Sequence, residues 1–219
     1  MSALILSEIR AAVKRRDEWK RATEVASRLA RTVQGRLPHD ARKFLDLDHW
    51  LEVNLQRAQS LGLFQAVGCH ILDLGSGTGL FLFVCDTLGH HAIGVDLPSA
   101  EHPQPERDIF TEMPPAFGIQ VVREKIESFR SLNVSGKFDL ITSFMVCFNN
   151  HKLENEWGLR EWDFFTRNLL SRLNPGGRLA LRLNHHEEKF GPRGYLDYET
   201  ESFFASLGTI DDGNILISA

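Results

Sequence analysis

The segment from Cys69 to Gly79 constrains the fold of this chain more than any other part of the sequence. It begins with the apolar run CHILDL (69–74), which is typical of a short buried strand. Glycines follow at alternating positions, Gly75, Gly77 and Gly79, and a helical pattern starts beside them. Glycine permits a tight strand-to-helix turn and a close approach of the backbone to a ligand. The segment therefore predicts a ligand-binding turn at the carboxyl end of a parallel strand.

After Gly62 the sequence alternates between strand-like runs and helical patterns. Strands separated by helices predict an α/β fold, in which a doubly wound, mostly parallel sheet forms the middle of a three-layer sandwich. The turn sequence DDGN (211–214) predicts a closing hairpin and thus an antiparallel edge strand. Further strands are predicted at HAIGVD (91–96), GIQVVRE (118–124), FDLITSF (138–144) and RLALRLN (178–184).

Two proline-containing segments are expected to interrupt regular structure. The segment 98–115 is predicted to be mostly loop, with a short helix around 108–112. Pro175-Gly176-Gly177 is predicted to end the helix before it.

The first 62 residues have a different character and are predicted to be helical. Apolar residues recur at steps of three and four from Trp19 to Val33, which indicates one buried helix face. A second helix is predicted to end near Gly62. We expect an N-terminal helical cap or lid over residues 1–62 and an α/β domain over residues 63–219.

Charge is distributed unevenly along the 219 residues, whose net charge is −4. The segment 1–43 holds 11 Lys/Arg against 5 Asp/Glu, net +6, and the remainder holds 14 against 24, net −10. A net negative chain is unlike a protein built to coat nucleic acid. We interpret the basic residues of the first helices as a solvated face or as one that docks on the acidic body. They are Lys14, Arg15, Arg16, Lys20, Arg21, Arg28 and Arg31.

The cysteines and the hydropathy pattern favour a cytoplasmic protein. Cys69, Cys85 and Cys147 form neither a disulfide framework nor a CxxC motif, which fits a reducing compartment. No stretch approaches the roughly 20 apolar residues of a membrane span, and the first residues lack the features of a signal peptide. We expect no membrane partner, and a monomer or homodimer.

The spacing of the glycines distinguishes between nucleotide cofactors. A dinucleotide fingerprint GxGxxG would need glycine where the sequence has Leu80. The pattern is instead D-x-G-x-G-x-G, with Asp73 two places before Gly75. A carboxylate repels a phosphate and attracts an ammonium group, and Asp96 at the end of the next strand can accept both hydroxyls of a ribose. The turn therefore favours a cofactor with a nucleoside and a cationic amino-acid tail.

Four segments of the sequence resemble the class I S-adenosylmethionine-dependent methyltransferases. They are ILDLGSGTG (71–79), GVDLP (94–98), FDLITSF (138–144) and LNPGGRLAL (173–181), in the order and approximate spacing of that family. The resemblance implies a Rossmann-like catalytic domain, S-adenosyl-L-methionine as cofactor, and methyl transfer to an oxygen or nitrogen atom of an acceptor.

The resemblance also implies roles for individual residues. Lys125 stands where the family often has an aspartate that reads the adenine amino group, so we expect a backbone contact from Ile126 there. Asp96 would hold the ribose hydroxyls and Leu97 would pack on the adenine, which Ile126 and Glu127 would flank. Asp73, Gly75, Ser76, Gly77 and Gly79 would hold the methionine end, and Ser143 and Phe144 would line the sulfonium.

Candidates for the acceptor chemistry follow the predicted fourth strand. His151 titrates near neutral pH and is the candidate general base, although an exposed loop histidine explains it equally well. Asn149 is a candidate for orienting an acceptor amide or hydroxyl, or for capping the next helix. The segment Asn184–Glu187 also lies at this edge. No ligand spacing supports a metal.

Three functions remain open at this point. A small-molecule methyltransferase with a helical lid is favoured, because the Pro-Pro signature of nucleobase-amine methylation is absent at 145–149. The alternatives are methylation of RNA or protein, with the basic helices as docking surface, and a binding protein that senses S-adenosylmethionine without catalysis.

Overall fold

A computed structural model describes residues 3–32, 43–104, 106–146, 157–185 and 194–219. Among these residues, none of the helices is both long and apolar enough to cross a membrane. The helices are α1 Ala3–Arg15, α2 Asp17–Thr32, α3 Leu47–Ser60, α4 Leu80–Thr87, α5 Glu106–Ala116, α6 Leu159–Leu170 and α7 Tyr198–Leu207. The strands are β1 His70–Leu74, β2 His91–Asp96, β3 Val121–Arg123, β4 Phe138–Val146, β5 Leu173–Leu183, β6 Thr209–Asp211 and β7 Asn214–Ser218.

The seven strands form one mixed sheet in the order β3-β2-β1-β4-β5-β7-β6. Parallel pairing joins β2 to β3, β1 to β4 and β4 to β5. The strand β7 runs antiparallel to both β5 and β6. The predicted doubly wound, mostly parallel sheet is confirmed. The antiparallel strand is β7, which is second from the edge of the sheet, and β6 forms that edge.

Two compact units divide the chain. The first consists of residues 1–69 and 76–123, and the second of residues 70–75 and 124–219. Helices α1 to α3 therefore belong to the same unit as α4, β2, α5 and β3. The division into a cap over 1–62 and a domain over 63–219 stays a prediction.

The core of the first unit contains the apolar face of α2. Trp19, Ala22, Ala26 and Leu29 are buried, which confirms the predicted helical stripe. The Trp19 ring lies 6.3 Å from that of Phe117, as measured between centroids. Helix α2 packs against α5, and α3 packs against α4.

Several basic side chains of α1 and α2 pair with acidic residues of the same unit. Arg16 Nη1 lies 2.6 Å from Asp86 Oδ2 on α4, and Arg28 pairs with Glu112 on α5. For these two arginines, the predicted docking on acidic residues of the body is confirmed. Arg10 pairs with Glu52, Lys14 with Asp48, Lys20 with Asp17 and Arg21 with Glu18.

The second unit has a core of large aromatic side chains between α6 and α7. Trp162 is fully buried, and its ring lies 5.4 Å from that of Phe204 and 5.3 Å from that of Trp157. The inner strands β1, β4 and β5 bury Leu72, Ile141 and Leu179. Because these apolar side chains must stay buried, they determine the register of this part of the sheet.

The short helix predicted around 108–112 is present but longer than expected, since α5 covers Glu106–Ala116 with Pro114 and Pro115 in its last turns. A proline inside a helix removes the N–H that would bind the carbonyl four residues earlier. For Pro114 that carbonyl belongs to Phe110, and it accepts a hydrogen bond from Arg123 Nη2 at 2.7 Å. A side chain from β3 thereby replaces the lost backbone bond, so the prediction of a loop after residue 112 was wrong.

Pro175-Gly176-Gly177 lies inside β5 instead of ending the preceding helix. Helix α6 ends at Leu170, and the strand begins at Leu173. The pairing with β4 passes from Phe138 opposite Leu173 to Leu140 opposite Arg178, so the intervening residues bulge out of the ladder. Gly176 has a φ of +76°, which glycine adopts without strain.

We predict that His90 stabilises the first unit by joining two backbone segments. Its Nδ1 accepts from the Cys69 N–H at 3.2 Å, so its Nε2 donates to the Leu63 carbonyl at 2.9 Å. Replacement by phenylalanine leaves both backbone groups without this partner and should lower the free energy of unfolding by about 2 kcal/mol or more. Urea denaturation would measure the loss.

The control for this experiment is Val67→Ala, because the Val67 side chain is 91% exposed. It should change the free energy of unfolding by less than about 0.5 kcal/mol. Equal stability of His90→Phe and the unchanged protein would contradict the role of the histidine.

Candidate functional site

A buried carboxylate at the end of β2 holds the glycine turn in the first unit. Asp96 Oδ2 accepts from the Gly77 N–H at 2.6 Å, and Oδ1 accepts from the Leu97 N–H at 2.8 Å. Gly77 has a φ of +54°, the left-handed region that glycine adopts without strain. A carboxylate has about four acceptor positions, so Asp96 keeps the capacity to accept two further hydrogen bonds.

Ser76 of the turn lies against Gly94 on β2, the strand that ends at Asp96. A Cβ added at position 94 would be 2.4 Å from Ser76 Oγ and 2.8 Å from Ser76 Cβ, so only glycine fits. The Ser76 N–H donates to the Val95 carbonyl at 3.2 Å. Among the residues that the structure describes, the buried Ser76 Oγ has no hydrogen-bond partner. A buried hydroxyl in this condition is available to a ligand.

The acid–base properties of Asp96 are set mainly by its burial. Burial raises the pKa of the Asp96 carboxyl above its usual range, against the opposing effects of the Leu97 N–H, His102, the Gly77 N–H and Arg123. His102 is also buried, and its Nε2 lies 3.6 Å from Asp96 Oδ1. Burial lowers the pKa of His102. The carboxylate therefore lies in a poorly hydrated site of the kind that binds a ligand's hydroxyl groups.

An aromatic cluster accompanies this carboxylate in the first unit. The His102 ring lies 4.9 Å from Phe110, whose ring in turn lies 5.1 Å from Phe44. Trp50 stacks on Phe44 at 6.1 Å. Arg123 donates to the Leu97 carbonyl at 3.4 Å and thereby connects β3 to the residue that follows Asp96. Sequence reasoning missed this cluster because His102 and Phe110 lie in the segment expected to be mostly loop.

In the second unit, Asp73 on β1 lies opposite Thr142 on β4. Thr142 Oγ1 donates to Asp73 Oδ1 at 2.7 Å, and both side chains are buried. Ser143 is buried beside them, opposite Leu74. The carboxylate predicted to face a ligand ammonium is therefore oriented by a hydroxyl of the neighbouring strand.

Gly75 in the second unit lies against the end of β4. Its φ is +72°, and a Cβ added to it would lie 2.3 Å from Val146 Cγ2. Any larger residue would displace Val146 or the turn. Close approach and backbone conformation both require glycine at this position.

Of the residues predicted near the adenine and sulfonium, Ser143 is buried and the other four are more exposed. Ile126 is half-buried, and Glu127 is exposed, where it accepts from Arg130 Nη1 at 2.9 Å. Leu97 and Phe144 are half-buried. The first unit brings together Ser76, Gly77, Asp96 and Leu97, and the second brings together Asp73 and Ser143, with Gly75 next to them in the chain.

The proposed catalytic residues His151 and Asn149 lie outside the described residues, and so do His186 and Glu187. His185 is described and exposed, with its ring 5.2 Å from that of Tyr195. Within the described ranges, no three histidine, cysteine, aspartate or glutamate side chains form a group that could hold a metal ion.

Sequence reasoning also missed Gly94 and Thr142. Both lie inside motifs that were recognised, and a strand register would have placed Thr142 opposite Asp73. For His102 the sequence carried no comparable signal, because only the fold brings it to Asp96.

Comparison with solved structures finds several methyltransferases of low sequence identity. CalS10, an amino pentose methyltransferase from Micromonospora echinaspora solved with S-adenosylmethionine bound, is 21% identical with a TM-score of 0.49. The match covers 66% of this chain and 55% of CalS10. DesVI from Streptomyces venezuelae is 17% identical with a TM-score of 0.49, over 73% of this chain and 63% of DesVI. The chain thus spans less than two thirds of the length of either protein.

A search of curated proteins gives no match. The family model described as "Methyltransferase domain" matches residues 21–191, which is most of the chain. This match confirms the predicted methyltransferase family. The turn, the acid at the end of β2 and the strands β1 to β5 all fall within the matched region, and the chain belongs to the methyltransferase domain family that its four motifs resemble.

Proposed function

We propose that this chain transfers the methyl group of S-adenosylmethionine to an oxygen or nitrogen atom of a small-molecule acceptor. The observation that carries the cofactor assignment is the buried carboxylate of Asp96, held by the N–H groups of Gly77 and Leu97. When bound, the sulfonium supplies an electrophilic methyl group. The protein's contribution is to bind, to orient and to exclude water.

Asp96 is proposed to accept the two ribose hydroxyls. Each of its oxygens already accepts one backbone N–H, and each keeps one further acceptor position. Because the site is buried, these charge-assisted hydrogen bonds would be stronger than in water. Leu97 would pack on the adenine, with Ile126 and Glu127 beside it.

The methionine end is proposed to lie against the glycine turn. Asp73 would pair with the ammonium group, because Thr142 holds its carboxylate in one orientation. The Ser76 hydroxyl, which is buried and has no hydrogen-bond partner among the described residues, would bind a polar atom of the same part of the cofactor. Gly75, Gly77 and Gly79 would allow the close approach of backbone, and Ser143 and Phe144 would line the sulfonium.

For the acceptor, His151 is proposed to remove a proton and Asn149 to orient the reacting group. An oxygen or nitrogen acceptor of high pKa needs such a base. Both assignments come from sequence alone.

The charges of the N-terminal helices favour a small acceptor over RNA. Arg16 and Arg28 pair with Asp86 and Glu112, and most of the basic side chains named above have an acidic partner within the first unit. A surface that binds phosphates needs cations whose charge is not already neutralised. Protein acceptors and a non-catalytic binding role are separated from this proposal by the experiments below.

We predict that Asp96→Asn weakens cofactor binding by about ten- to a hundredfold, because an amide presents only one acceptor oxygen and loses charge-assisted bonds. Isothermal calorimetry with S-adenosylmethionine and S-adenosylhomocysteine would measure the affinities. Asp86→Asn is the matched control, since Asp86 forms a surface ion pair with Arg16. It should bind as the unchanged protein does. Unchanged affinity in Asp96→Asn would refute the ribose assignment.

We predict that affinity for S-adenosylhomocysteine declines on acidification at a pH above the ordinary aspartate range of about 4. Only the ionised carboxylate accepts both hydroxyls, and burial raises the pKa of Asp96. Affinity should therefore be complete above this raised pKa and be lost as the pH falls through it. Calorimetry between pH 8 and pH 4 would show the decline. The variant His102→Asn removes the other titrating side chain, and a pH-independent affinity in both proteins would contradict the prediction.

We predict that incubation with methyl-labelled S-adenosylmethionine labels a compound of a low-molecular-weight metabolite extract. The Arg16→Ala and Arg28→Ala variants serve as controls, because a docking role in RNA binding would reduce the labelling of an RNA fraction in them. Label in RNA with steep salt dependence, or label in a protein fraction, would contradict the small-molecule proposal. Cofactor binding without label in any fraction would favour the non-catalytic role.

A further inference from the structure

The end of β4 contains a backbone irregularity at Met145. Its φ is +59°, which is an uncommon conformation for a residue with a long side chain. At the same place the pairing with β5 shifts, from Phe144 opposite Arg182 to Val146 opposite Leu183. Met145 is thus the extra residue of a β-bulge, and its side chain is 46% exposed.

The side chain of Asn184 stabilises this bulge. Asn184 follows the last residue of β5 and is buried, with 9% of its surface exposed. Its Nδ2 donates to the Met145 carbonyl at 2.8 Å. A bulged residue is left without its regular partner in the ladder, so the amide of Asn184 supplies a partner that the strand pairing does not.

The bulge determines which side of β4 Val146 faces. Side chains alternate along a strand, so one inserted residue moves the next side chain to the opposite face. After the bulge, Val146 Cγ2 lies where a Cβ on Gly75 would meet it at 2.3 Å. Contacts therefore lead from Asn184 through the Met145 backbone and Val146 to Gly75, all within the second unit.

We propose that Asn184 is a positioning residue for the cofactor turn. By holding Met145 in the left-handed conformation, it keeps Val146 against Gly75 and so sets the conformation in which the turn receives the methionine end. The inference rests on the proposed function, which assigns Gly75 to that end. It predicts that Asn184 affects the binding of the amino-acid part of the cofactor and not that of the nucleoside part.

Two ligands separate these parts. S-adenosylhomocysteine carries the amino-acid tail, whereas 5′-methylthioadenosine has the same nucleoside and sulfur without it. In calorimetry, Asn184→Ala should lower the affinity for S-adenosylhomocysteine about fivefold or more. It should change the affinity for 5′-methylthioadenosine less than twofold. Asn184→Asp, which keeps the shape but has no amide donor, should do the same. Thermal unfolding confirms that each variant is folded.

The matched control is Asn174→Ala. Asn174 also lies in the β5 segment of the second unit, and its Nδ2 donates to Asp139 Oδ1 at 2.7 Å. Its loss removes a partly buried hydrogen bond donated by a side-chain amide, at a place away from Met145. Both ligands should bind this variant as they bind the unchanged protein.

A second change tests the backbone step directly. Glycine adopts a positive φ without strain, so Met145→Gly should remove the need for the amide. Combined with Asn184→Ala, it should restore most of the affinity for S-adenosylhomocysteine. Equal weakening of both ligands in Asn184→Ala, or no restoration in the double variant, would overturn the inference. Failure of the unchanged protein to bind either ligand would instead overturn the proposed function.

Discussion

In the first unit, the site depends on the hydrogen bonds that the carboxylate of Asp96 accepts. It accepts the N–H of Gly77 in the turn and the N–H of Leu97 in its own segment. Two consequences follow from a single side chain: the turn is held against the end of β2, and a negative charge is kept in a poorly hydrated place. The pKa of Asp96 is raised because burial is unfavourable for the charged carboxylate. A ligand that donates two hydrogen bonds would offset this cost, as is common where function and stability compete.

The second unit achieves the same result with different means. There the supporting groups are side chains of β4 and of the segment after β5: the Thr142 hydroxyl donates to the Asp73 carboxylate, and the Asn184 amide donates to the Met145 carbonyl. Each hydrogen bond gives a partner to a polar group that the strand pairing does not bond, the buried Asp73 carboxylate or the carbonyl of the bulged Met145. Both units therefore use side-chain hydrogen bonds between separate segments of the chain to hold the groups at and beside the glycine turn.

Local sequence signals predicted the elements well where one physical effect was dominant. The three- and four-residue steps after Trp19 predicted α2, and the glycine spacing with Asp73 predicted the turn and its cofactor. The same reasoning made α5 too short, because a proline indicates only that its own backbone nitrogen cannot donate a hydrogen bond. It could not show that Arg123 on β3 satisfies the Phe110 carbonyl that Pro114 leaves unbonded. The predicted helix stop at Pro175-Gly176-Gly177 was wrong for a related reason, since a bulge accommodates the same residues within β5.

The sequence by itself determined the strand-turn-helix unit, the acid at the end of β2 and the class of cofactor. Those features depend on backbone preferences, residue types and spacings within a short stretch of the chain, and these can be read from the sequence directly. Only the tertiary structure decided which side chains hold them, because the supporting pairs are far apart in the chain: 69 residues for Asp73 with Thr142 and 39 for Asn184 with Met145. Such contacts depend on strand register and on a bulge, and a one-residue change in either would turn the side chains to the other face of the sheet.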